Sequence, residues 1–255
     1  MARRVVAVVV ALLFVAAAVR LVTADRQPAA VRAARHAPAD LRKAHWFRLS
    51  LQLQLVEADG TARATTATAS VDAANDRAAV TVPAVLGRPD LELVAQGPIM
   101  YLSIPADHRA ALSNARWIRV DAGNAEAAAG ARIGPLPGPI AVLDALRTAT
   151  TPTTKGRVRL DLQRLPHTPA GREVYNALIP LGRRFDADLT FDNKGRLQTV
   201  AFATNVTEQR RVDVRLTVDG VGQEFVIGVP PDSATVPAPS LREALTMVGA
   251  SPLGP

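Results

Sequence analysis

Residues 47–55 read FRLSLQLQL. Phe47, Leu49, Leu51, Leu53 and Leu55 alternate with Arg48, Ser50, Gln52 and Gln54, a strict period of two that belongs to a strand and not to a helix. One face of such a strand is apolar and the other wet, so it belongs in an antiparallel sheet covered on one side only. Working outward, Asp59-Gly60 marks a turn, and Thr61 to Val71 is a second run of small and β-branched residues. Further strands are expected at 79–82, 91–94, 99–104 and 116–121, with Gly, Pro, Asn or Asp between most of them. No helical pattern separates these runs, which makes the sheet largely antiparallel.

Helices interrupt later. In 139–148 Ile140, Leu143 and Leu146 fall at helical spacing. Strand alternation returns at 157–162, and Thr168-Pro169 opens a second helix to about Ile179, carrying Val174, Leu178 and Leu181 inward. Two hairpins are expected next. Asp192-Asn193-Lys194-Gly195 closes one, with Gly195 left-handed, Phe191 opposite Leu197 and Leu189 opposite Thr199. Asp219-Gly220 closes the other, with Val214 opposite Phe225 and Val212 opposite Ile227. Ser240 and Glu243 form a capping box at the head of a last short helix. The expected fold class is α+β: a curved antiparallel half-barrel sheet with two or three short helices over its concave face.

The N-terminus is of another kind. Arg3 and Arg4 precede an uninterrupted apolar run, 5–19, followed by small residues to Ala24. Basic head, short apolar run and small-residue exit predict a secretory signal peptide over 1–24, with an uncleaved signal-anchor as the alternative. The run is shorter than the roughly 20 residues of a membrane-spanning helix. Residues 25–43, rich in Ala, Arg and Pro, read as a tether in which a short amphipathic helix over 29–35 would be marginal in isolation, and 44–255 as a single domain.

Composition narrows the function. The chain of 255 residues has no cysteine, so it forms no disulfide and has no thiolate nucleophile or lipid-modified N-terminal cysteine. Formal charge is +7, and removal of 1–24 takes three arginines and no acid with it, leaving +4. The remaining basic residues do not interleave with aromatics, which argues against nucleic acid as a partner. His36, His45, His108 and His167 fall at no metal-ligand spacing. Asp186, Asp188 and Asp192 lack the order of a calcium loop. No nucleophile elbow, phosphate loop or dinucleotide fingerprint occurs, so neither a catalytic residue nor a cofactor is nominated and the expectation is a non-enzyme.

What remains is apolar surface. A one-sided sheet incompletely covered by helices holds acyl chains by burial, at about 0.8 kcal/mol per methylene. The lipid-pocket candidates are Leu49, Leu51, Leu53 and Leu55 on the sheet, with Leu143, Leu146, Val174 and Leu178 on the helices. Periodicity does not separate a hollow face from a filled one.

The order of segments resembles a family. Ile99-Met100-Tyr101-Leu102-Ser103-Ile104-Pro105, then Ala115-Arg116-Trp117-Ile118-Arg119-Val120-Asp121, the helix at 139–148, the hairpin Asp188 to Leu197, and a final strand running into Val229-Pro230-Pro231-Asp232 are similar to the actinobacterial envelope lipoproteins of the LppX/LprG type, whose fold is LolA-like. The resemblance implies an exported binder or carrier of lipids or lipidated molecules at the extracytoplasmic face of the membrane, in the cell envelope or secreted. It also covers membrane-anchored interaction or sensor domains with a filled core and an envelope protein partner. The chain departs from the family in lacking the lipobox cysteine, which moves any membrane contact onto the N-terminal segment.

Overall fold

The computed structural model describes residues 29–82, 90–121, 139–150, 157–208 and 210–249. The expected signal segment and the first residues of the expected tether lie outside them.

Among the described residues twelve strands form one open, curved sheet. They are β1 (Trp46–Glu57), β2 (Ala62–Asp72), β3 (Arg77–Val82), β4 (Leu91–Gln96), β5 (Ile99–Ser103), β6 (Trp117–Asp121), β7 (Ala149–Thr150), β8 (Arg157–Asp161), β9 (Arg184–Phe191), β10 (Leu197–Thr207), β11 (Arg210–Asp219) and β12 (Thr235–Ala238). Their spatial order is β12-β6-β5-β4-β3-β2-β1-β11-β10-β9-β8-β7. Neighbours pair antiparallel except β12 on β6, which is parallel. The helices are α1 (Ala29–Lys43), α2 (Pro139–Ala145), α3 (Pro169–Leu178) and α4 (Leu241–Met247). The fold class is α+β, as the period-two and helical patterns required.

The strand at 47–55 lies mid-sheet, in β1, between β2 and β11. Its leucines face Ala67 and Ala69 on one side and Val212, Val214, Leu216 and Val218 on the other, so a single apolar face runs across the strand boundaries. α1, α2 and α3 bury this face over β1 and β8–β11 in one cluster. α4, capped by the Ser240 hydroxyl accepting from the Glu243 N–H, covers the far half, packing Leu241, Ala244 and Leu245 with Leu102, Ile118 and Val120.

Four expectations are corrected. Residues 29–43 are no tether: they form α1, whose Val31, Ala34, Ala37 and Leu41 are buried in the first cluster, with Pro38 buried beside them. Proline inside a helix costs about 3 kcal/mol, so tertiary contacts must hold this one. Arg42 grips Asp144 with both carboxylate oxygens at 2.9 and 3.0 Å, and Arg35 donates to the Ala149 carbonyl at 2.6 Å.

The Asp219-Gly220 turn makes no hairpin. Both edges of β11 are taken, one by β1 and the other by β10, so Val214 faces Leu53 and Phe202 instead of Phe225. The chain after Gly222 runs instead as an extended strap across the outer face. There Ile227 is buried against Val94 and Tyr101, flanked by Phe225 and Val229. Neither the expected partner strand nor the strand into Asp232 forms; β12 begins only at Thr235.

The first hairpin closes as expected, with Gly195 at φ +74° and Phe191 opposite Leu197. A bulge between Leu197 and Thr199 then slips the register, so Leu189 faces Val200 and not Thr199.

Candidate functional site on the concave face

Opposed residues of neighbouring antiparallel strands share a face, so two rows can be followed across the concave side. One runs Phe47–Val71–Ala78–Ala95–Met100–Val120, the other Leu49–Ala69–Val80–Leu93–Leu102–Ile118. The ends of both rows are sealed: Phe47 and Leu49 beneath the first helical cover, Val120 and Ile118 beneath α4. Between them Val71, Ala78, Val80, Leu93, Ala95 and Met100 are only half-buried. Val71 and Val80 abut the first cluster and Met100 the second. The six form an apolar strip across β2–β5, about 15 Å wide at the usual strand spacing.

The eight candidates lie in or against the first cluster. Leu49, Leu51, Leu53, Leu143, Leu146, Val174 and Leu178 are each at most 9% exposed and belong to the first cluster. Leu55 is half-buried against its edge. The structure therefore brings all eight together, and they pack against one another and their protein neighbours. Two concavities among the described residues are lined by others. One, about 870 Å³ and open, lies at the tips of β1–β2 and β10–β11, between Glu57, Asp59, Arg63 and Arg210. The other, about 340 Å³, lies between α1 and Gly195-Arg196-Leu197 and includes His36.

Sequence reasoning passed over the strip. Its signal was available in the alternation of Ala78 and Val80 with Ala79 and Thr81, but short runs of Ala and Val do not say which face is inward.

The polar groups of the described residues serve the framework. On the outer face Arg157 holds Asp188 and Arg159 holds Asp186 through paired hydrogen bonds of 2.8–3.1 Å. These bonds, before any other influence, raise both guanidinium pKa values. Asp192 accepts from the Lys194 and Arg196 N–H groups and from the Arg196 side chain. The Arg196 backbone bond is the first cause of its lowered pKa. Asp72 accepts from Asn75, whose side chain is the main reason its carboxyl is held low. The three aspartates singled out by sequence are thus cross-strand and turn partners. His45, at φ +65°, tilts against Trp46, and His108 lies 3.7 Å from Asp107. Among the described residues no three His, Cys, Asp or Glu gather as metal ligands would, and no helix is long and apolar enough to cross a membrane. The arrangement is suited to burying hydrocarbon.

No protein-family model and no curated protein matches the chain. Solved structures do. The chain is similar to the lipoprotein LppX of Mycobacterium tuberculosis, at 11% identity and a TM-score of 0.43, over 78% of this chain and 98% of that one. It is also similar to a LolA superfamily protein of Nitrosomonas europaea, at 6% identity and a TM-score of 0.30, over 77% and 96%. A third is an outer membrane lipoprotein-sorting protein domain of Vibrio parahaemolyticus, at 11% identity and a TM-score of 0.33, over 77% and 94%.

Proposed function

We propose that this chain is an exported, non-enzymatic binder or carrier of lipids or lipidated molecules in the cell envelope, related to the LppX/LprG type but without its lipid anchor. The observation that carries the reading is the half-buried strip Val71, Ala78, Val80, Leu93, Ala95 and Met100 between two sealed apolar clusters. An acyl chain laid along it removes apolar surface on both partners from water, at about 25 cal/mol per Å². Leu49 and Phe47 then form the floor at one margin, at the edge of the cluster that also holds the helical candidates Leu143, Leu146, Val174 and Leu178. The N-terminal 24 residues supply export, and hold the domain at the extracytoplasmic face of the membrane where they are not removed.

A second reading has one observation in its favour. The eight candidates are packed among protein side chains, as in an envelope interaction or sensor domain with a filled core and no cargo. Titration with a fluorescent fatty acid separates the two. Saturable binding that Ala95→Trp abolishes supports the strip, because the indole fills it from a position already half exposed. Saturable binding unaffected by Ala95→Trp removes the strip as the site, and no binding removes the carrier reading.

A further inference from the structure

Half of the arginines on the described strands meet an acid, as in Arg157–Asp188, Arg159–Asp186 and Arg210–Glu57. Off the strands, one region gathers three more that do not. Residues 162–184 hold four arginines, Arg164, Arg172, Arg183 and Arg184, against a single acid, Glu173. The chain draws them to one end of the sheet. The Leu162 N–H donates to the Arg183 carbonyl at 3.0 Å, which sets the turn carrying Arg164 beside the start of β9. α3 is folded back on that turn: Gly171 packs so close to Pro166 that an added Cβ would overlap the Pro166 carbonyl oxygen. Thr168 caps the helix through the Gly171 N–H, leaving Arg172 within a turn of the cap. Arg184 is matched by Asp161 at 3.2 Å. Arg164, Arg172 and Arg183 are exposed and have no ion-pair partner among the described residues. Pro166 and Pro180 stand exposed beside them, with Ile179 and Tyr175 half-buried below. Among the nearest acids on the adjoining strand tips, Glu57 is already engaged by Arg210, while Glu208 is exposed.

We infer that this end of the molecule, Arg164, Arg172 and Arg183 with Pro166 and Pro180, is a docking surface for an anionic lipid membrane. Unpaired cationic groups drawn to the negative headgroup layer, set among exposed apolar side chains, suit a membrane surface better than a purely ionic partner, which would leave the prolines unused. The surface is separate from the apolar strip and docks whether or not that strip holds cargo.

The test is flotation of the full chain with phosphatidylcholine vesicles, with and without phosphatidylglycerol. The N-terminal segment, with Arg3, Arg4 and Arg20, is the same in wild type and variants, so the change in the ratio of the two affinities on substitution is the readout. The expected ratio favours phosphatidylglycerol, falls as salt is added, and drops about fivefold for Arg164→Gln and about 25-fold for Arg164→Gln with Arg183→Gln, at one arginine's surface attraction each. The corresponding Lys pair keeps most of the ratio and shows that the fold is intact. A wild-type ratio near one overturns the inference. So does a ratio unchanged in the Gln pair, or equally reduced by Arg215→Gln on the outer face of β11. Tighter retention by polyglutamate than by anionic vesicles assigns the surface to an acidic polypeptide and overturns it too. Lipid carriage is read separately, by fatty-acid titration, so either proposal can fail alone.

Discussion

The strap after Gly222 offers a demanding check, because it is held almost entirely by side chains. From Glu224 to Pro230 its backbone makes no hydrogen bond to other backbone among the described residues, and the Ile227 carbonyl accepts only a long 3.5 Å bond from Arg77. Ile227, 4% exposed, is the central peg between Val94 and Tyr101. Replacing it by alanine removes the equivalent of three methylenes, about 2.4 kcal/mol at about 0.8 each. A cavity in a rigid core would add to this, up to about 5 kcal/mol. Here the strap can lift away instead of leaving a void, so the expected loss stays near 2–3 kcal/mol. At about 2–4 °C per kcal/mol for a domain of this size, Ile227→Ala should lower Tm by roughly 5–10 °C. The same lifting should make chymotrypsin cut after Phe225 well below Tm, while β1 and β11 remain protected. A variant with unchanged Tm refutes the peg. A destabilised variant no more readily cut at Phe225 than wild type refutes the detachable strap.

Other expectations follow from single contacts. Gly171→Ala should cost about 2–3 kcal/mol by urea unfolding, because the Pro166 backbone has to shift to admit the methyl; a neutral effect would mean that α3 does not pack as described. Asp144→Ala removes the two-pronged partner of Arg42 and should lower stability by about 1–2 kcal/mol, loosening α1 first in hydrogen exchange. Asp59, Asp72 and Asp192 all titrate below the usual aspartate value because the fold donates hydrogen bonds to their charged forms. A folded pKa below the unfolded one gives stability that is complete above about pH 4 and is lost as pH falls through the folded value. Acid unfolding should therefore set in below pH 4, and Asp192→Asn should flatten its pH dependence.

How much of this was legible in the sequence depends on residue chemistry. Leu49, Leu51 and Leu53 declared their face because large apolar and polar residues alternate without a break. Ser240 and Glu243 declared a helix start because the cap is local. α1 was legible only as a marginal helix over 29–35, since between Val31 and Leu41 its buried stripe is built from Ala34, Ala37 and Pro38, residues equally at home in a linker. The strap was misread for a stronger reason. Asp219-Gly220 does favour a hairpin, but β1, some 160 residues earlier, occupies the edge that the hairpin would need. Local turn preference lost to a long-range pairing of ten residues. The strip was illegible because alternation assigns a face without saying what covers it. Leu53 and Leu93 obey the same pattern, yet one lies sealed under helices and the other stays half-exposed.

The central claim is that Val71, Ala78, Val80, Leu93, Ala95 and Met100 receive hydrocarbon. Native mass spectrometry of the chain purified from the envelope without detergent tests it most directly. The expected spectrum carries an added mass that organic extraction identifies as an acylated molecule, and Ala95→Trp removes it while the fold persists. A spectrum at the bare polypeptide mass, from wild type able to bind no added fatty acid, would contradict the account.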